Sequence, residues 1–557
     1  MDEKLLKISS LFKEKKYNEL IFFIQSSFQN KSSQILNLLG VARLFNNKDK
    51  SSLILALSDF KQAYIKEKKT NFGLEALINF INTAADLYAL QSPLEDTIND
   101  SSIFLNQTND LFKEAEINFG YNEKLVSSII RVYQHQGNLN KILFYLKKQF
   151  EKGDLNLSRF ALWIFFNNYK KSWTQAEFLK YSKLFVNKIE NFNPRNLVEL
   201  SRKKNSKIRI GFLSSEILKK HSITYFLETI FKNYNKDKFE IYLYLDNSIE
   251  DSNTNEFKIL AKKSINVSNL GDIEVFNLIR GDNIDIMFDI TGVTSFNRVS
   301  LFKNRLAPKQ ISWLGYCNTS GSDNIDYLIA DKNLIYEEEK NNYSEKIIYL
   351  PNIWNCHSGL NSVRSFSDAP CLKEKNITFG SFNNFNKIND RVVNVWSQIL
   401  LKVKNSKLIL KSSLKIDKSF LKKEFEKYGV IDSIIFLEKR KLESHYNLYK
   451  KIDIALDTFP YNGVTTTFEA LSMGVPVITM MGYNFNSRCG ESIIKNLGIE
   501  NLIANNEDDY ILKAQKMAKD NEKLLELRKK IYDISHETPL FDTKQFSQDF
   551  FSILEKI

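Results

Sequence analysis

The sequence predicts an all-α stack followed by two α/β units in tandem, and three observations carry that prediction. Residues 1–200 are poor in glycine and proline and place apolar residues at helical spacing. From Ile208 onward, short apolar runs alternate with helical patterns, as in parallel sheets. The stretch Asp457–Thr479 (DTFPYNGVTTTFEALSMGVPVIT) then reads as strand end, tight turn, helix and next strand in one pass.

Within the helical part, Leu36, Leu39 and Gly40 followed by Ala56, Phe60 and Ala63 resemble the two helices of a tetratricopeptide repeat. A second unit is expected near Tyr133–Gly137. Such stacks bind protein segments along a concave face or brace a neighbouring domain. The pattern breaks at Asn191–Pro194, and a basic linker, Arg202–Lys207, leads into the first α/β unit. Its strands are expected at 208–213, 239–245, 284–290 and 310–314, and it closes near Leu350. The second unit is expected to have strands at 377–382, 408–410, 434–437, 452–456 and 475–479. The domain reading is therefore 1–200 helical, 205–365 first lobe and 372–557 second lobe, with a cleft between the lobes.

The Asp457–Thr479 stretch has the form of a phosphate cradle. Pro460 and Gly463 punctuate the turn, Thr465 to Thr467 open a helix, and Gly474 with Pro476 end it. Free N–H groups at such a helix start face the carboxyl edge of a parallel sheet, where anions bind. That points to a nucleotide diphosphate. Thr466 and Glu469 also fit a capping box, a purely structural alternative.

Composition narrows the function classes. A chain of 557 residues with 43% hydrophobic and 13% aromatic residues can fill several cores. The net charge of +12 comes from lysines scattered along the whole chain, which argues against a dedicated nucleic-acid surface. Cys317, Cys356, Cys371 and Cys489 lack metal-site spacing and suit a reducing compartment. No apolar h-region or spanning run is present, so a soluble cytoplasmic protein with no membrane partner is expected.

From about Lys207 onward the chain resembles the protein O-GlcNAc transferase and SPINDLY family. The resemblance is carried by Ile210–Glu216 with His221, Ala307–Tyr316, Thr319–Gly321, Phe382–Lys387, the Asp457–Thr479 loop and Pro539–Gln545. It implies a GT-B fold of two Rossmann-like lobes behind a TPR-like solenoid. It also implies an inverting, metal-independent transfer of a sugar, GlcNAc from UDP-GlcNAc, to protein serine or threonine. No cofactor is expected beyond this co-substrate, and the acceptor would lie along the helical domain and the interlobe cleft.

By the same resemblance, His221 is the catalytic base or an acceptor-side contact, and Lys387 contacts the donor diphosphate with Asn384 nearby. His445 packs on the base, Thr465 and Thr466 hold the diphosphate, and Glu469 holds the ribose. Asn462, Gly463, Arg488 and Thr319 are further donor-side candidates. A histidine after a strand is also a common structural hydrogen-bonding residue. Asp289, at the end of an expected strand, is a second candidate acid or base and equally a loop cap.

The chemistry suits these residue types. A departing nucleoside diphosphate carries nearly two negative charges, whereas a helix N-terminus offers about half a unit charge. A lysine is therefore needed unless a metal does the work, and the chain contains no Asp-x-Asp. Departures from the family pattern are Cys317 and Asn318 for Pro-Gly, Val293 and Val464 for histidines, and Leu442, beside Lys441, for a lysine near the base. Alternatives are UDP-glucose or GDP-fucose as donor, an asparagine acceptor, a TPR adaptor without activity, and a basic nucleic-acid binder.

Overall fold

Helical hairpins build the N-terminal part because each helix carries one apolar stripe that only a neighbour can cover. In the computed structural model, described over residues 3–90, 100–190, 207–217, 221–294, 297–360, 362–412, 416–437 and 442–557, eight helices lie between Glu3 and Lys152. Helices Ser33–Asn46 and Lys50–Lys66 bury Leu36, Leu39, Gly40, Ala56, Phe60 and Ala63, the residues expected to form a repeat pair. Side-chain caps at Ser32 and Asp49 start both. At the second expected unit, Tyr133 stacks on Tyr145 of the helix Leu139–Lys152. Among the described residues no helix is long and apolar enough to cross a membrane.

The chain divides into two compact units, Met1–Leu155 with Leu414–Lys423, and Asn156–Ser413 with Glu424–Ile557. Helices Leu157–Asn167 and Gln175–Asn187 thus pack with the sheets. The breakpoint at Asn191–Pro194 and the linker residues 202–206 lie outside the described residues.

The first lobe contains β1 (Ile208–Ser214), β2 (Phe239–Leu245), β3 (Lys263–Asn266), β4 (Ile286–Asp289), β5 (Lys309–Ser312), β6 (Tyr327–Ala330) and β7 (Lys346–Tyr349). They form one parallel sheet in the order β3-β2-β1-β4-β5-β6-β7. The second lobe contains β8 (Thr378–Ser381), β9 (Lys407–Lys411), β10 (Ile434–Leu437), β11 (Ile454–Leu456), β12 (Val477–Met480) and β13 (Ile503–Ala504), parallel in the order β10-β9-β8-β11-β12-β13.

Both orders are Rossmann-like, so each lobe has a switch point, β1/β4 in the first and β8/β11 in the second. There, diverging connections open a crevice at the strand ends. The second lobe does not stop at β12, because β13 extends its sheet. The helix Thr543–Leu554 leaves that lobe and packs on the first. Phe550 lies against Phe288 and Trp313, Phe551 against Phe239, and Ser547 donates to the Thr229 carbonyl.

Candidate functional site

At the second switch point, Asp457 ends β11 and folds the following loop onto itself. Its Oδ1 accepts the Thr458 and Gly463 N–H groups at 2.8 and 2.7 Å, and its Oδ2 accepts the Thr479 hydroxyl at 2.8 Å. Gly463 is required by close approach, since a Cβ there would sit 2.4 Å from Thr466 Oγ1 and 2.6 Å from Asn383 Oδ1. The helix Thr465–Ser472 follows, and the chain escapes it through Gly474 at a φ of 75°.

The capping box expected at Thr466 and Glu469 does not form. Val464 is the N-cap and no side chain caps the helix. Thr466 instead donates to Asn383 Oδ1 at 3.1 Å, and Glu469 turns toward His445 and Tyr449. The first N–H groups of an α-helix have no partner within it, so this start keeps its anion-binding capacity.

Lys387 reaches the loop from the turn after β8. Its Nζ donates to the Asn462 carbonyl at 2.8 Å and lies 4.5 Å from the centre of the Tyr461 ring. Burial pushes the ammonium down to about 8, partly offset by the Asp457 charge. Asn384, expected near the phosphates, caps this turn by accepting the Asn386 N–H at 3.1 Å. Its neighbour Asn383 is the one that faces Thr466. The doubled asparagine offered no sequence signal for choosing between the two.

On the other flank His445 is held at both nitrogens. Lys411 Nζ lies 2.8 Å from Nδ1, and Glu469 Oε2 lies 3.1 Å from Nε2. An ammonium can only donate, so Nδ1 accepts and Nε2 carries the proton toward Glu469. Tyr449 donates to the same carboxylate oxygen at 2.8 Å. Burial alone would raise the Glu469 pKa, but His445 and Tyr449 outweigh it and hold the carboxyl below its usual value. Lys411 and Tyr449 were not singled out from the sequence. Lys411 follows directly on the expected strand 408–410, which was its only signal.

The first lobe's switch point gathers Glu216, His221 and Asp289. His221 is the N-cap of the helix Ser222–Asn233, with Nδ1 accepting the Ile223 N–H at 3.4 Å and Nε2 3.7 Å from Glu216 Oε1. Its side chain is 38% exposed, yet its surroundings push it down to about 4. Burial, then the Asp289 charge, raises Glu216 to about 7. Asp289 acts as a loop cap, with Oδ1 accepting the Thr291 and Gly292 N–H groups at 3.0 and 2.8 Å. Glu216 ends the Ile210–Glu216 segment, whose sequence does not mark it as a site residue.

Three further donor-side candidates are engaged in contacts within the protein. Arg488 bridges the lobes, with Nη1 and Nη2 donating to Glu339 at 2.5 and 2.8 Å and its guanidinium 4.0 Å from the Tyr336 ring centre. Thr319 is fully buried and donates to Glu345 at 2.8 Å. Asn462 binds Thr458 O and Gly490 N–H. The departure at Asn318 is structural as well. Its amide joins Gln175 at 2.7 Å and Asn168 at 3.0 Å, and Asn168 also receives Asn486. Side chains of Leu442 and the residue Lys441 lie outside the described residues.

Comparison with known proteins gives a consistent picture. The model of glycosyl transferase family 41 matches residues 138–362 and 361–550. The SPINDLY protein of Solanum lycopersicum, described as a probable UDP-N-acetylglucosamine–peptide N-acetylglucosaminyltransferase, is 34% identical over 354 residues, covering 62% of this chain and 38% of that protein. The SEC protein of Arabidopsis thaliana, described likewise, is 28% identical over 352 residues, 61% of this chain and 36% of its own. The chain thus spans under two fifths of these relatives' length. A mutant of the Thermobaculum terrenum O-GlcNAc transferase shares the fold, with a TM-score of 0.77 at 21% identity over 95% of this chain and 98% of that one.

Proposed function

Because this chain belongs to glycosyl transferase family 41, we propose that it moves GlcNAc from UDP-GlcNAc to serine and threonine hydroxyls of proteins, with inversion and without a metal. The observation that carries this reading is the convergence on one switch point of Lys387, the uncapped start of the helix Thr465–Ser472, and the His445–Glu469 pair. A diphosphate at the helix start meets about half a unit of positive charge from the helix and a full charge from Lys387. Thr465 and Thr466 add hydroxyls beside it, and Glu469 with His445 lies where ribose and base would extend. The proton acceptor belongs to the first lobe's cluster of Glu216, His221 and Asp289.

The test is direct. Purified protein is incubated with labelled UDP-GlcNAc, UDP-glucose or GDP-fucose and an array of peptides carrying serine, threonine or asparagine, with and without EDTA. Transfer of GlcNAc to serine or threonine, unaffected by EDTA, supports the reading. Preference for GDP-fucose or for asparagine redirects it to another donor or acceptor. Nucleotide binding without any transfer supports the adaptor alternative, and loss of activity in EDTA sinks the metal-free mechanism.

A further inference from the structure

We propose that Glu216 takes the proton from the acceptor hydroxyl, with His221 as its positioning partner and not the base itself; the inference rests on the transferase reading above. His221 Nδ1 accepts the Ile223 N–H at 3.4 Å, so its lone pair faces the backbone. In the neutral ring the single proton then sits on Nε2, which is 3.7 Å from Glu216 Oε1. An imidazole arranged in this way presents a donor, and no lone pair is left for an incoming hydroxyl. Small movements on substrate binding can close the 3.7 Å span to a hydrogen bond.

Glu216 has the opposite disposition. It stands two residues beyond β1 at the β1/β4 switch point, its N–H fixed by Ser214 Oγ at 3.0 Å, and its side chain remains 21% exposed. Asp289 is less suitable, since it is buried and its Oδ1 is occupied by two backbone N–H groups. The titratable groups facing Glu216 among the described residues are His221, from the following helix, and Asp289, from the end of β4. Desolvation and the Asp289 charge place the Glu216 carboxyl near 7, whereas His221 is pushed to about 4. Both shifts favour the carboxylate over the imidazole as the proton acceptor at neutral pH.

In the step itself the serine or threonine O–H bond breaks and its proton moves to a Glu216 carboxylate oxygen. The hydroxyl oxygen bonds the anomeric carbon as the bond from that carbon to the β-phosphate oxygen breaks. The nucleoside diphosphate leaves with the electron pair beside Lys387, and Glu216 later returns its proton to water. His221 keeps its Nε2 proton throughout and orients the carboxylate.

A base must be deprotonated, so transfer by the unmodified protein should fall as pH drops through about 7. Glu216→Gln should lower kcat for peptide transfer about a hundredfold or more at pH 8 and erase that acid limb, with the calorimetric Kd for UDP changed less than about twofold. Glu216→Asp should keep the limb at reduced kcat. His221→Ala should cost less than Glu216→Gln and move the limb to higher pH, because the carboxylate loses a donor to its charged form.

If Glu216→Gln transfers like the unmodified protein, the inference is wrong while the transferase reading stands. The same follows if His221→Ala erases the limb and Glu216→Gln retains it. If Glu216→Gln fails to bind UDP, Glu216→Asp decides, and an unchanged kcat there overturns the assignment. An unmodified protein inert toward all three donors and all peptides overturns the transferase reading and this one together.

Discussion

Lys387 illustrates how burial sets up charge chemistry. A solvated lysine gains little from meeting a diphosphate, because water already stabilises it. Lys387 has given up that hydration, donates to one carbonyl at 2.8 Å, and is pushed down to about 8 by burial. In the proposed reaction a bound diphosphate takes the place of that lost hydration, and the attraction grows as the leaving group develops its charge. Lys387→Ala should therefore slow sugar transfer and donor hydrolysis alike, by about a hundredfold or more in single-turnover assays. Equal rates in mutant and parent would remove Lys387 from the leaving-group role. At this scale the sequence led to Lys387, Thr466 and Glu469, which stand at fixed distances from strands, and the structure gathers them at one switch point. The sequence was not legible where the choice depends on side-chain direction. Asn383 and Asn384 are neighbours of the same type, and only the path of the turn sends one to Thr466 and the other to a backbone N–H. Likewise, the approach of His221 Nε2 to within 3.7 Å of Glu216 Oε1 has no counterpart in any local sequence pattern.

The loop between β11 and its helix behaves as one unit at the level of elements. Asp457 ties its start to Gly463 and to β12, while Gly463 leaves room for Thr466 and Asn383. Gly463→Ala should thus push these groups apart and weaken UDP binding by about tenfold or more in calorimetry, with the circular dichroism spectrum unchanged. Binding equal to the parent's would show that the loop tolerates the displacement. Phe239–Leu245 coincides with its strand, and so does Ile434–Leu437, a short edge strand without a buried residue whose four consecutive apolar residues supply the signal. The strands without a clear signal are short or marginal. Lys263–Asn266 and Lys346–Tyr349 sit at sheet edges with no buried residue, Ile503–Ala504 has two residues, and Tyr327–Ala330 is a four-residue run. Periodicity needs length and a buried face to register, and these segments gain their strand character from the sheet they join.

Across the sheet-bearing unit, the two lobes are joined by ties that no local pattern discloses. Arg488 with Glu339 is one, the asparagine cluster around Asn168 and Asn318 another, and the helix Thr543–Leu554 a third. Phe550 is fully buried against Phe288 and Trp313, so Phe550→Ala should destabilise this unit by about 3–5 kcal/mol in denaturant titrations. A loss under about 1 kcal/mol would mean that the helix merely rests on the first lobe. The Rossmann-like lobes were legible because each is written in consecutive strands and helices. The return of residues 543–554 was not, since an amphipathic helix does not name the surface it will cover.

That return gives the unit a timetable. The first lobe's sheet leaves the ribosome some 200 residues ahead of Phe550, a wait of about 10–40 s at ordinary elongation rates. Throughout that interval Phe288 and Trp313 lack the ring that finally covers them. The last packing step of the first lobe therefore waits for translation of the second lobe to finish.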